Sequence, residues 1–285
     1  MEKTTQNSYH THISSKHNAL ELKLDEVWRY RDLILLFTKR NFVVRYKQTI
    51  LGPAWILLNP LFSSIIYAIV FGGIAKIGTE GIPTILFYLC SNAIWLFFAT
   101  CVTTNARTFT ENANVFGKVY FPRLTMPISN MLSAGIHFCV QMLMVLGFLG
   151  FYLVQGAVHP NWAAWLLIPV VLLHLGMLGL GCGIIVSSLT TKYRDLAILV
   201  DFAMQLWMYA TPVVYPLSTL EPGWIRTILL INPVTAPVEF FRYAILGQGS
   251  ILPGVLVLSW AITILVMLIG IVIFNKVERT FMDTV

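Results

Sequence analysis

Residues 164–188 read AWLLIPVVLLHLGMLGLGCGIIVSS and hold no Asp, Glu, Lys or Arg. About 20 mostly apolar residues suffice for a helix to cross a hydrocarbon core of about 30 Å, so this stretch reads as a membrane span. Five others qualify on the same ground: 54–75, 84–104, 131–154, 197–215 and 254–274. Of the 285 residues, 57% are hydrophobic and 11% charged, and the mean hydropathy is +0.74. A soluble domain carries about 25% charged residues, so soluble enzymes and nucleic-acid-binding domains are excluded. The expected fold is an all-α polytopic membrane protein with six transmembrane helices.

Charge orients these spans. Nine Lys and Arg precede residue 54, and Arg107, Lys118 and Arg123 follow the second span. Lys192 and Arg194 separate the fourth from the fifth, and Lys276 and Arg279 follow the sixth. Only Lys76, Arg226 and Arg242 fall on the other side. Positive loops stay in the cytoplasm, which puts both termini inside.

Two segments are neither spans nor ordinary loops. In 26–49, Val27, Tyr30, Ile34 and Phe37 recur at helical spacing among Arg29, Arg31, Asp32, Lys39, Arg40, Arg45 and Lys47. Such a basic amphipathic helix lies in the membrane interface, apolar side in lipid and cations near anionic headgroups. A plain juxtamembrane helix that only sets topology accounts for the same pattern. The outer segment 216–253 contains WIRTILLI (224–231), the break Asn232-Pro233, and APVEFFRYAIL (236–246). Each piece is about 12–16 Å long if helical, half a bilayer, which suggests a re-entrant pair. Glu239 and Arg242, three apart, can pair to lower the cost of burial. A hairpin on the outer leaflet is the alternative. The chain thus divides into a polar tail (1–25), an interfacial helix (26–49), a six-span domain (50–275) and a cytoplasmic tail (276–285).

Much chemistry is absent. Asp201, near the inner end of the fifth span, is the one formal charge in the six spans, placed to snorkel or to pair with Lys192 or Arg194. His137 and His174 suit interhelical hydrogen bonds better than a proton relay. His10, His12 and His17 sit in the polar tail and make no metal site. Cys90, Cys101, Cys139 and Cys182 lie in apolar runs and read as small hydrophobes, not as a disulfide or zinc framework. Gly117-Lys118 is followed by Val119, so there is no phosphate-binding loop, and GxSxG and HExxH are missing. Energy for uphill transport must come from another subunit. Gly179 and Gly183 let helices approach closely, within the chain or between chains. Of 37 aromatic residues most suit interfacial belts. A minority could line a passage for sugars, whose apolar C–H faces stack on rings.

RYKQTILGPAWILLNPL (45–61), NVFGKVYFPR (114–123), KYRDL (192–196), YATPVVYP (209–216), NPVTAPVEFFRYAILG (232–247) and ERTFMD (278–283) come in order along nearly the whole chain. Together they resemble the permease subunit of bacterial ABC exporters for polysaccharide and polyol phosphate, the type that serves O-antigen and lipopolysaccharide, capsule or teichoic acid. The resemblance implies a homodimer in the cell (inner) membrane with the channel between protomers. It also implies two copies of an ATP-binding subunit that hold ATP and Mg, leaving this chain without a cofactor, and a glycan cargo on a polyprenyl-diphosphate lipid. A short coupling helix is implied in 105–125, with Glu111, Asn114, Lys118 and Arg123 facing the ATP-binding subunit and Arg194 and Asp195 in support. Arg29, Arg31, Lys39, Arg40, Arg45 and Lys47 become a gate that meets the lipid diphosphate. Trp55, Trp207, Tyr209 and Tyr215 become candidates for the glycan path, and Asn232, Pro233, Glu239 and Arg242 for an outer gate.

Three other readings fit less well. An ABC permease for small lipophilic compounds would usually lack the RYKQT–LGPAW junction and the FPR loop. A membrane enzyme acting on polyprenyl phosphate needs clustered acidic, histidine or arginine residues. An ion-coupled flippase needs charge inside the spans. If Trp207 and Tyr209 line the path, replacing both with alanine is expected to reduce export, and unchanged surface glycan in cells would sink that assignment.

Overall fold

A computed structural model describes residues 24–119, 121–191, 193 and 195–284, and every regular element among them is helical. Most of the expected N-terminal tail, along with Lys192 and Arg194, lies outside the described residues. The helices run α1 (Leu24–Arg29), α2 (Arg31–Tyr46), α3 (Trp55–Tyr67), α4 (Thr84–Ala106), α5 (Thr108–Phe116), α6 (Thr125–Val154), α7 (Trp162–Trp165), α8 (Ile168–Thr190), α9 (Leu196–Tyr209), α10 (Trp224–Ile231), α11 (Thr235–Leu246) and α12 (Pro253–Thr284). A turn of 3₁₀ helix before α3 and a π-helical stretch after it extend that span to Gly52–Ile74. Among the described residues five helices are long and apolar enough to cross a membrane: Gly52–Ile74, α4, α6, α8 and α12 through Val277.

Helix α4 is the hub. Neither glycine nor proline interrupts its 23 residues, a rise of about 34 Å. Its most apolar stretch is 78% buried, against 17–28% for the spans at Gly52–Ile74, α6 and α12, so α4 is wrapped by protein while those three present a face to lipid. Helices α3, α6, α8, α9 and α11 all pack on it. The seam with α8 depends on glycine. A Cβ at Gly179 would stand 2.6 Å from Cys101 Cβ and 3.3 Å from the Phe98 carbonyl oxygen. On the opposite side of α8, Gly181 meets Met267 of α12 in the same way, with 3.2 Å to its backbone. The closely spaced glycines therefore serve contacts inside the chain.

Helix α2 departs from expectation. Val27, Ile34 and Phe37, read as a lipid-facing stripe, are buried, and α2 lies along α6. The face left open carries Leu35, Leu36, Val43 and Val44. The apolar residues cover more than one stripe, and the one carrying Ile34 and Phe37 takes the protein side.

The fifth span departs as well. Helix α9 ends at Tyr209 instead of reaching 215. Pro212 has no N–H to donate, and its ring would clash with the carbonyl four residues back. Fourteen residues rise about 21 Å, short of the core thickness. The remaining depth is filled by irregular chain, 210–216, against which α10 and α11 fold. These two meet at 85° across Asn232-Pro233, a bent pair that can count as a broken span or a re-entrant loop.

Glu239 and Arg242 are 3% and 0% exposed and form an ion pair one turn apart on α11. Arg242 Nη1 also donates to the Pro212 carbonyl at 3.0 Å, and its guanidinium lies 4.8 Å from the centre of the Phe87 ring. The Glu239 carboxylate accepts from the backbone N–H of Leu217 and Ser250 at 3.4 and 3.3 Å. Removing one partner strands the other charge in a dry site. Glu239→Leu is expected to cost about 3–5 kcal/mol, and Glu239→Leu with Arg242→Met to recover most of it. Thermal unfolding of the two variants in detergent checks this.

Candidate functional site

Where α2, α4, α5, α6 and α9 converge, a polar cavity of about 750 Å³ opens at the end of the bundle that carries the basic segments. Its walls follow from helical spacing. Thr100, Thr103 and Thr104 bring hydroxyls to one face of α4, each in the cavity lining. Thr103 and Thr104 donate back to the carbonyls of Ala99 and Thr100 at 2.9 and 2.6 Å, which leaves their oxygens as acceptors.

A chain of amides closes the opposite wall. Arg40 Nη2 donates to Asn41 Oδ1 at 3.1 Å and to Asn112 Oδ1 at 3.2 Å. Asn41 Nδ2 donates to Asn130 Oδ1 at 2.9 Å, and Asn130 Nδ2 to Asn105 Oδ1 at 3.2 Å. This network ties α2 to α4, α5 and α6 through polar side chains, beside the apolar contacts of Ile34 and Phe37. Arg40 also stacks on Phe37, 4.8 Å from the ring centre. Burial pulls the Arg40 guanidinium below its ordinary value and pushes the Tyr46 phenol up, the latter opposed by the charge of Arg45.

Of the six gate cations, Arg40 and Arg45 line the cavity. Arg29, Arg31, Lys39 and Lys47 are exposed elsewhere on α1, on α2 and at the end of α2, Arg31 lying 5.8 Å from the Trp28 ring centre. The expected coupling helix is α5. Glu111, Asn114 and Lys118 are exposed on it or just beyond it, and Asp195 is exposed at the start of α9. Arg123 is a correction: it is only 8% exposed, its guanidinium 5.7 Å from the Phe116 ring centre, so it belongs to the interior. Arg194 lies outside the described residues.

Helix α5 is rooted by aromatic rings. Phe109 stacks on Phe274 of α12 at 4.9 Å, and Phe116 meets Phe121 at 5.7 Å, which meets Phe37 of α2 at 5.6 Å. The Phe109 N–H donates to Ser187 Oγ of α8 at 3.2 Å. Asp201 pairs with Arg107, a partner the sequence did not single out; the expected partners Lys192 and Arg194 lie outside the described residues. The four asparagines of the network were missed as well. Asn105 is near the end of α4 and Asn130 near the start of α6, while Asn41 and Asn112 lie inside α2 and α5, each unremarked until the fold brings them together.

At the other end, Tyr209 and Tyr215 line a cleft of about 840 Å³ that also includes Lys76, and the Tyr215 hydroxyl donates to the Tyr209 carbonyl at 3.0 Å. Trp207 is placed differently. Its Nε1 donates to Asn232 Oδ1 at 3.1 Å, and its ring meets Phe98 edge-on at 5.3 Å. Asn232 also donates to the Ala210 carbonyl at 2.7 Å, and Ser259 of α12 to the Pro233 carbonyl at 2.5 Å. Trp55 is 40% exposed and lines a cleft with Arg45 at the basic end. His174 bridges α8 to α12 through Thr263 and Ser259 at 2.9 and 3.1 Å, stacked on Trp260.

The sequence pattern of the ABC-2 type transporter family matches residues 32–246, from α2 to the end of α11. The chain belongs to the ABC-2 type transporter family. It is similar to the O-antigen export system permease protein RfbA of Klebsiella pneumoniae, 28% identical over 257 residues that cover 88% of this chain and 94% of that protein. The protein of the same name from Myxococcus xanthus is 28% identical over 221 residues, 76% of this chain and 81% of its own length. An ABC-2 type permease is the membrane subunit of a transporter and pairs with an ABC ATP-binding subunit, and this one is a multi-pass membrane protein.

Arg107 and Asp201 are 40% and 43% exposed at their side chains, so their pairing contributes little to folding. Asp201→Asn is expected to shift stability by less than about 1 kcal/mol, read as the thermal midpoint in detergent.

Proposed function

We propose that this chain is the channel-forming subunit of an ATP-driven exporter that moves a polysaccharide or polyol-phosphate polymer, linked to a polyprenyl-diphosphate lipid, out of the bacterial cytoplasm. The observation that carries the reading is the polar cavity at the basic end, walled on one side by α2. A cavity with hydroxyls, amides and three arginines, one of them, Arg107, paired with Asp201, suits a hydrated chain with an anionic head. Small lipophilic cargo would call for an apolar one. The names of the relatives, which are O-antigen export permeases, support the same class.

Two protomers enclose the channel, and each receives an ATP-binding subunit on α5. That subunit binds ATP and Mg and hydrolyses the nucleotide; this chain performs no catalysis and needs no cofactor of its own. The protein resides in the inner membrane with both termini in the cytoplasm, where α2 gates the side opening and Arg40 and Arg45 meet the diphosphate. The broken region around Asn232-Pro233 closes the outer end.

ATPase activity in lipid nanodiscs tests this. Activity is expected only when permease and ATP-binding subunit are reconstituted together, and it is expected to change on titration with polyprenyl-diphosphate-linked glycan. Indifference to the glycan alongside stimulation by small lipophilic compounds would overturn the cargo class.

A further inference from the structure

Beside the polar cavity, and sharing Arg45 and Thr100 with it, lies a cleft of about 310 Å³ where α2, α3, α4 and α6 meet. His137 and Gln141, one turn apart on α6, both line it. Each residue is 8% exposed, and His137 Nε2 and Gln141 Oε1 have no hydrogen-bond partner. His137 Nδ1 lies 2.6 Å from the Ser133 carbonyl oxygen. A carbonyl only accepts, so Nδ1 carries the proton and Nε2 is left a bare acceptor. The imidazole is held in place by Phe42 and Tyr46 of α2, each ring centre 5.6 Å away.

Two buried acceptors on one face call for donors. An ionised phosphate offers only acceptor oxygens and cannot satisfy them, whereas each hydroxyl of a sugar brings a proton. Across the cleft stands Trp55, 40% exposed, with an indole face of the kind on which the apolar C–H face of a pyranose stacks. Arg45, at the edge shared with the larger cavity, suits the anion that follows. We propose that this cleft is a sugar-binding subsite, in which His137 Nε2 and Gln141 Oε1 accept hydroxyl protons from the sugar nearest the lipid carrier and Trp55 stacks on its ring. The proposal rests on the export reading above and adds to it a recognition step for the sugar, separate from that for the diphosphate.

The test uses the permease bound to its ATP-binding subunit in nanodiscs, with two probes: a polyprenyl diphosphate carrying one hexose, and the same lipid without sugar. Gln141→Leu and Trp55→Ala are each expected to weaken the hexose-bearing lipid about five- to tenfold while leaving the bare lipid within about twofold. Trp55→Phe, which keeps an aromatic face, is expected to retain most of the affinity. Gln141→Leu removes an acceptor that has no partner, and Trp55 is already open to solvent, so neither change removes a structural contact on which the fold rests. An equal loss for both lipids, or no loss for either, would overturn the subsite. A wild-type complex that binds both lipids equally would overturn it while leaving the export reading intact, whereas one that binds neither would overturn both.

Discussion

A backbone carbonyl without a partner in hydrocarbon costs several kcal/mol, and this chain breaks its helices at membrane depth in two adjacent places. One break follows Tyr209, and the other is Asn232-Pro233. They are tolerated because each repairs the other. Asn232 and Arg242 donate to the carbonyls of Ala210 and Pro212, and Trp207 and Ser259 donate to Asn232 and Pro233. Glu239 takes up the N–H groups of Leu217 and Ser250 and neutralises Arg242. This end of the bundle is thus a connected polar network set among apolar side chains.

The end that carries the basic segments is built on the opposite plan. Its asparagines bond to one another and to Arg40, yet they do so along the wall of a cavity that α2 covers from the side. Polar groups whose partners are other side chains can change partners for water or a ligand at little cost. The Glu239–Arg242 pair has no such freedom. Rigidity at one end and exchangeable contacts at the other both hang from α4, which reaches from Phe87 under Arg242 to Asn105 in the amide network.

Spans were legible because their signal is additive: twenty apolar residues outweigh any one exception. The half-length helices of 224–246 were legible from Asn232-Pro233, since a proline break at that length leaves few alternatives. Charge was less legible. Arg123 and Lys118 count alike in a tally of cytoplasmic cations, but only Lys118 is exposed, because the FPR loop turns Arg123 under Phe116. Trp207 and Tyr209, two residues apart at the end of α9, point to different surroundings, one braced on Asn232 and one in the cleft with Tyr215. The amide network was invisible for a plainer reason. Asn41 and Asn130 are 89 residues apart, and nothing in either neighbourhood indicates the other.

The rings beneath α5 have a mechanical consequence. Phe109 is stacked on α12 and hydrogen-bonded to α8, while Phe116 reaches α2 through Phe121. Interlocked aromatic side chains are nearly incompressible, so a displacement of α5 by a few ångströms has no slack to absorb it. Any thrust delivered to α5 from outside is therefore shared at once between the helix that covers the inner cavity and the last span of the bundle. The two are geared to one axle, and neither can be driven alone.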